Sequence, residues 1–353
     1  MKILVIKFRN IGDVLLTTPL IKNLKLNFPD AQIDFALNAG TEAMLKHNPY
    51  INKVYVYERN KIKSLQLFSK VKEEIKYVKN IVKNRYDIVI NLTRGDRGSI
   101  IALLSGADKK IGYPSNKNRF LKNVFDMEIP GYGNRHVIES EFDVIRMMDL
   151  KIFEKKVEIF WDKSDEEKVD SLIPEKFVHI HPVSRWLFKC VKDEIMAKII
   201  DFIKNKGYEV VITASPDEKE LEKVNSILSH CKTKPLNLSG KLSLNQVACL
   251  SSKAKAFVGV DTAVMHMAAA VNTPVVAFFG PSAAFHWGPW DNDLTKSGYV
   301  NKNGIQKMGK HTVIQHNWEC IPCEKDGCRG SKISECLMEF DMNNIYNILE
   351  EKL

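Results

Sequence analysis

Four short runs in this 353-residue chain carry side chains able to do chemistry, and each follows an apolar stretch that reads as a β-strand. Asn10-Ile11-Gly12-Asp13 follows the first. A glycine there lets the backbone turn tightly and approach a ligand. Asp13 has two readings: an N-cap for the next helix, or a carboxylate that takes a proton from a bound hydroxyl. The second run is His181-Pro182-Val183-Ser184-Arg185-Trp186-Leu187-Phe188-Lys189. It puts a hydroxyl and two cations in one loop, a composition that suits phosphate or a simple solvated connection. The Gly-x-x-x-x-Gly-Lys-Ser/Thr of a P-loop is absent.

Ser215-Pro216-Asp217-Glu218-Lys219-Glu220 forms the third run. Early acids are ordinary at a helix start, and a carboxylate in that place also binds ribose hydroxyls. The fourth runs from Gly259 to Ala270, where Asp261 or Thr262 opens a helix of small residues. Such a helix packs close to its sheet and aims its positive end at a ligand. His266 lies one turn in, on the face of Thr262. Two further patterns carry a choice. Asp291-Asn292-Asp293 has the spacing of a sugar-nucleotide metal site, and its loop context favours a turn. Cys320, Cys323, Cys328 and Cys336 form a compact four-thiol set, read either as structural zinc or as packed loop thiols.

These runs need a scaffold that brings strand ends together. Apolar segments at 2–7, 32–37, 53–57 and 86–91 read as strands, with helices expected over 14–26, 63–83 and 137–148 and a strand end near 111–114. The pattern then restarts: strands at 177–181, 209–213, 236–238, 256–260 and 275–279 alternate with helices at 164–172, 191–206, 217–230, 243–252 and 262–271. This alternation predicts two α/β domains with parallel sheets, 1–160 and 161–340, followed by a helix over 341–353 that is free to pack back on the first domain. Ligands in such folds sit off the carboxyl ends of the strands, in a cleft.

Composition narrows the class. Hydrophobic residues are 44% and charged residues 27%, as in ordinary soluble domains. No apolar run reaches the ~18–20 residues of a membrane-spanning helix, and the N-terminus lacks a signal-peptide pattern. The odd count of seven cysteines does not describe a secreted disulfide scaffold. A cytoplasmic protein is expected. The net charge of +9 is unevenly placed: residues 1–160 hold 28 Lys and Arg against 18 Asp and Glu, and the remainder hold 24 against 25. A basic first half suits an anionic partner, whether nucleic acid, an anionic membrane surface or a phosphorylated substrate. A nicotinamide oxidoreductase would show Gly-x-Gly-x-x-Gly after the first strand, and the chain has none there. No aromatic-studded basic strand marks a nucleic-acid module.

Taken together, Asn10-Ile11-Gly12-Asp13-Val14-Leu15-Leu16-Thr17-Thr18-Pro19, Val260-Asp261-Thr262-Ala263-Val264-Met265-His266-Met267-Ala268-Ala269-Ala270, Pro274 and Phe279-Gly280-Pro281-Ser282 resemble the bacterial lipopolysaccharide heptosyltransferases, glycosyltransferase family nine. The resemblance spans nearly the whole chain. The run from Ser184 to Cys190, the run from Phe285 to Trp290 and the cysteine cluster are most similar to the heptosyltransferase III branch, which adds a branch heptose to the inner core.

The resemblance implies a GT-B fold, two Rossmann-like domains facing across a cleft, with the acceptor on the first domain and ADP-heptose on the second. It implies an inverting transfer that needs no cofactor or catalytic metal. Asp13 matches the family's base. Lys189 matches the lysine that holds the donor phosphates, with Lys192 as the alternative because the loop is one residue longer. Ser184, Arg185, Asp261, Thr262, Ala263 and His266 fall in the donor site, Glu218 matches the ribose-binding acid with Glu220 next to it, and Leu242 falls at the adenine. Ala263 departs from the glycine common in relatives, and its methyl group crowds the sugar. The acceptor implied is lipid A with its inner core at the cytoplasmic face of the inner membrane. Arg59, Lys61, Lys63, Arg94, Arg97, Lys117 and Arg119 are the cations expected to meet its phosphates. Another nucleotide-sugar transferase, or a non-catalytic partner that binds anionic glycolipid, are the competing readings.

Overall fold

The computed structural model describes residues 1–114 and 118–353, so Lys117 lies outside the described residues. The chain divides into two compact units, one of Met1–Gly133 with Val137–Val157, the other of Asn134–His136 with Glu158–Leu353. The three-residue excursion has a local cause. His136 Nε2 bonds the Gly288 carbonyl at 2.9 Å, its ring lies 4.9 Å from that of Trp290, and the Arg135 carbonyl meets His286 Nδ1 at 2.7 Å.

The first unit is built on six parallel strands: β1 (Lys2–Lys7), β2 (Gln32–Asn38), β3 (Lys53–Tyr57), β4 (Ile88–Asn91), β5 (Lys109–Gly112) and β6 (Met127–Glu128), in the order β3-β2-β1-β4-β5-β6. Ile3, Leu4, Val5 and Ile6 are fully buried. A central parallel strand covered on both faces needs this unbroken apolar run rather than an alternating one. The chain runs outward from β1 to β3 on one side and from β4 to β6 on the other, so the order reverses between β1 and β4. The connections leaving those two strands carry Asp13, in the helix Ile11–Leu15, and Arg94 with Arg97, the latter at the start of the helix Asp96–Leu104, and the Phe8 amide ties them by donating to Thr93 Oγ1 at 2.8 Å.

The second unit has seven strands: β7 (Phe177–His181), β8 (Glu209–Ile212), β9 (Leu236–Asn237), β10 (Phe257–Val260), β11 (Val275–Phe278), β12 (Gln306–Met308) and β13 (His311–Ile314). Their order is β12-β13-β11-β10-β7-β8-β9, and only the β12–β13 pair is antiparallel. Here the reversal falls between β7 and β10. Gly259 sets their spacing, since a Cβ there would lie 2.7 Å from the His181 carbonyl oxygen. Ligands of open α/β sheets bind where the strand order reverses, and the Ser184–Lys189 loop and the Asp261–Thr262 turn flank that point.

Several elements differ from the sequence reading. The helix expected over 14–26 is two, Ile11–Leu15 and Thr18–Asn27, and that over 63–83 becomes Arg59–Lys63 and Leu67–Val82. The β12–β13 hairpin has no counterpart in the expectation, because Gln306, His311 and Thr312 are polar yet buried and break the apolar pattern of a strand. The C-terminal helix, Met342–Glu350, is part of the second unit. Its Ile345, Ile348 and Leu349 join the core with Ile199, Ile200 and Ile203 of the Asp193–Asn205 helix, and Tyr346 stacks on Phe202 at 4.3 Å. Among the described residues, no helix is long and apolar enough to cross a membrane.

Candidate active site

In the first unit Asp13 is not the cap expected from its spacing. Asn10 is the N-cap residue, and Asp13 sits in the first turn of Ile11–Leu15, where its Oδ2 accepts from the Asn10 amide at 3.2 Å. Gly12 lies inside the same helix rather than in a tight turn. Asp13 is 7% exposed, and Arg9 Nε stands 3.5 Å from its Oδ1. Beneath it lies an ion pair that sequence reasoning missed: Lys7 Nζ and Glu141 Oε1 are 2.6 Å apart and both groups are buried. Burial works against the Lys7 charge, but Glu141, Tyr132 and Asp13 together outweigh it and raise the ammonium pKa. Burial, with Asp13 nearby, raises the Glu141 carboxyl. No local signal could pair residues 134 positions apart.

The expected acceptor cations separate into two kinds. Arg59, Lys61, Lys63 and Arg119 are exposed. Arg97 instead clamps a cluster: it bonds Glu74 at 3.0 Å and the Tyr57 hydroxyl at 2.5 Å, with its guanidinium 3.6 Å from the Tyr57 ring centre. Burial, then the hydrogen bond with Glu74, pushes Tyr57 up to about 12. Arg94 lies over the rings of Tyr113 and Tyr132, at 5.1 and 5.9 Å.

In the second unit the loops after β7 and β10 meet. Lys189 Nζ bonds Asp261 Oδ2 at 2.6 Å. Burial opposes the Asp261 charge, but Lys189, the Ser282 hydroxyl and His266 outweigh it and hold the carboxyl below the ordinary aspartate range. Lys192, the alternative phosphate ligand, is exposed and lies 3.6 Å from Glu194. Ser184 is buried and its Oγ accepts from the Trp186 amide at 3.2 Å, while Arg185 is exposed beside Trp186. Thr262 is the N-cap residue of Ala263–Ala270, and its buried Oγ1 has no partner among the described residues. Ala263 is half-buried at the first helical position, and His266 is buried one turn on.

Asp217, not Glu218, caps Glu218–Ser229, accepting from the Lys219 amide at 3.1 Å. Glu220 is buried and accepts from the Ser215 amide at 3.0 Å, so it fastens the loop after β8, while Glu218 is exposed. Leu242 is half-buried against the apolar cluster that includes Leu238 and Leu250. Two contributors went unread. Ser282 reaches the Asp261 carboxylate, and Gln315 Nε2 donates to the carbonyls of Gly280 and Ser282, both at 2.8 Å, holding that loop from the end of β13. The Phe279-Gly280-Pro281-Ser282 run was the signal for Ser282. Gln315 had none, because β13 itself was not legible.

Asp291 is buried and closes a turn: its carboxylate accepts from the amides of Asp293 and Lys310, each at 2.9 Å. Asp293 pairs with Lys310 at 2.6 Å, so these acids serve the β12–β13 loop. Cys336 is buried, and burial followed by the nearby Cys328, Cys323 and Cys320 pushes its thiol up to about 12. The four thiols are free, and among the described residues they present no three sulfurs close enough to share one ion.

The family model described as Glycosyltransferase family 9 (heptosyltransferase) matches residues 75–317. Lipopolysaccharide heptosyltransferase 3 of Escherichia coli K12 is 35% identical over 315 residues, covering 87% of this chain and 89% of that protein. Among solved structures, the family 9 glycosyl transferase of Veillonella parvula superposes with a TM-score of 0.80 at 20% identity, covering 99% of this chain and 96% of that one. The E. coli ADP-heptose heptosyltransferase II gives 0.75 at 21% identity, with 99% and 98% covered. These likenesses show the fold, the two-Rossmann GT-B architecture.

Proposed function

The chain belongs to glycosyltransferase family 9, the heptosyltransferases, and from that premise we propose that it moves heptose from ADP-heptose to a heptose of a lipopolysaccharide or lipooligosaccharide inner core. The observation that carries this reading is the 2.6 Å pair of Lys189 and Asp261 at the point where the second sheet reverses its strand order. An ammonium and a carboxylate side by side suit a donor that is anionic at its diphosphate and rich in hydroxyls at its sugar. The E. coli heptosyltransferase II, of the same fold, carries ADP-heptose in its name.

The residues then divide the work. Asp13 accepts the proton of the acceptor hydroxyl. The acceptor oxygen bonds to the anomeric carbon as the carbon–oxygen bond to the diphosphate breaks, and its electron pair leaves with ADP. One such displacement inverts the anomeric centre. Lys189, Arg185 and the Thr262 end of the Ala263–Ala270 helix stabilise the leaving charge, which leaves no role that requires a metal. Asp261 has the wrong sign for phosphate and takes sugar hydroxyls, with His266 behind it. Glu218 binds ribose, since Glu220 is committed to Ser215, and Leu242 meets adenine. Arg59, Lys61, Lys63 and Arg119 face the acceptor phosphates at the cytoplasmic side of the inner membrane. The half-buried Ala263 methyl favours one second reading, a different ADP-sugar donor.

The test is product structure. Purified protein, ADP-heptose and a truncated core acceptor should yield ADP and one added heptose of inverted anomeric configuration, read by mass and NMR. An acceptor left unmodified while ADP-heptose is bound would reject the transfer.

A further inference from the structure

The 16-residue helix Leu67–Val82 covers the first sheet with Glu74, Tyr77, Val78 and Ile81. Its outer side is not the polar surface that such a helix ordinarily presents. Leu67 is 78% exposed, Phe68 85%, and Val71 and Ile75 48% each. At 3.6 residues per turn these four share one stripe, and the exposed Lys72, Lys76, Lys79 and Lys83 form the stripe beside it. The helix Asp96–Leu104 packs against this one and adds Leu103 and Leu104, both more than half exposed. The short turn Arg119–Leu121 packs on that second helix and raises Phe120, 94% exposed, between Arg119 and Lys122.

An apolar stripe this exposed, in contact with water alone, is unfavourable and marks a docking surface. Charge selects the occupant. The cations beside the stripe outnumber the acids: Lys72, Lys76, Lys79 and Lys83 stand beside Glu73, which lies 3.9 Å from Lys76. The same half of the chain carries the whole positive excess. A protein groove would require a matched shape, whereas a row of exposed lysines beside protruding Leu and Phe side chains matches a plane of phosphates over acyl chains.

We infer that this face docks on an anionic lipid bilayer, with Leu67, Phe68, Val71 and Ile75 entering the headgroup–acyl boundary and the lysines reaching lipid phosphates. The inference deepens the reading above, in which the acceptor is lipid-anchored, yet vesicle binding tests it without turnover.

The full chain should co-sediment with vesicles of phosphatidylethanolamine and phosphatidylglycerol, and about tenfold or more less with phosphatidylcholine alone. The variant L67S/F68S/V71S/I75S should lose about 100-fold or more in partitioning with an unchanged melting temperature. K72Q/K76Q/K79Q should lose about fivefold per lysine and most of the salt dependence. On a deacylated, soluble acceptor the serine variant should turn over like wild type, and on vesicle-borne acceptor it should slow. Failure of wild type on the soluble acceptor strikes the transferase reading alone. Equal vesicle binding by wild type and the serine variant, or none by either, overturns the docking face. So does concentration-dependent dimerisation that the serine variant abolishes, which would assign the stripe to a second copy.

Discussion

Lys189 reaches from the loop after β7 to Asp261 at the end of β10, ammonium to carboxylate at 2.6 Å. The contact fixes a cation where a diphosphate needs one and keeps a buried acid charged. Removing one member leaves the other unpaired, which costs about 1–3 kcal/mol.

ADP should raise the melting temperature of wild type, because a ligand of the folded state alone stabilises it. Lys189→Ala should lower the melting temperature of the free protein and abolish most of the ADP shift. The double variant Lys189→Ala/Asp261→Asn should recover the stability but not the ADP shift. Calorimetric scans with and without ADP separate these, with the exposed Lys122→Ala as a control. An ADP shift of wild-type size in Lys189→Ala would remove the lysine from the phosphate site.

Asp13→Asn probes the first unit. Asparagine can still accept from the Asn10 amide, so stability and ADP affinity should barely change. Turnover at saturating donor and acceptor should fall by roughly 10²–10⁴-fold, since the amide takes no proton. Turnover near that of wild type would leave Asp13 a structural residue of its helix.

The Lys7–Glu141 pair predicts that removing both charges rescues the loss caused by removing one. Glu141→Leu alone leaves a buried ammonium and should destabilise by about 3–5 kcal/mol in urea titrations. Lys7→Met/Glu141→Leu should return most of that loss, because an apolar pair of similar volume avoids burying charge. A double variant no more stable than the single one would show that the pair does more than neutralise itself.

Acid should weaken the second unit through its buried histidines. Burial pushes His136 down to about 3 and His181 to about 4, and lowers His179 as well. Their folded values lie below the unfolded value near 6.5. The stability they contribute is therefore complete above pH ~6.5 and is lost as pH falls through that value towards the folded ones. Unfolding midpoints measured from pH 7.5 to 4.5 should fall steadily, and His136→Gln should flatten the slope. A flat wild-type profile would contradict neutral burial of these rings.

The cysteine segment gives the fifth expectation. Its sulfurs are not gathered for one ion, so a strong chelator should leave the melting temperature unchanged. One equivalent of zinc by elemental analysis, with destabilisation on chelation, would show instead that the four thiols close around metal.

Hydrophobic periodicity determined much of this protein from sequence alone. The apolar runs of β1, β7 and β10 announced buried parallel strands, and the small residues of Ala263–Ala270 announced a helix close against its sheet. Because strand carboxyl ends are where such sheets bind ligands, Asp13, Lys189 and Asp261 were legible as candidates before any contact was known. Tertiary structure decided what a local pattern does not encode. It made Asn10 the cap and left Asp13 inside the turn, tied Glu220 rather than Glu218 to Ser215, and chose Lys189 over Lys192 as the partner of Asp261. It also supplied Lys7–Glu141 and the hold of Gln315 on the Gly280–Ser282 loop. Periodicity records only which face of an element avoids water. The pairing of two charges, or the capture of a carbonyl by a distant amide, depends on which elements the sheet order sets side by side, and that order is a property of the whole packed chain.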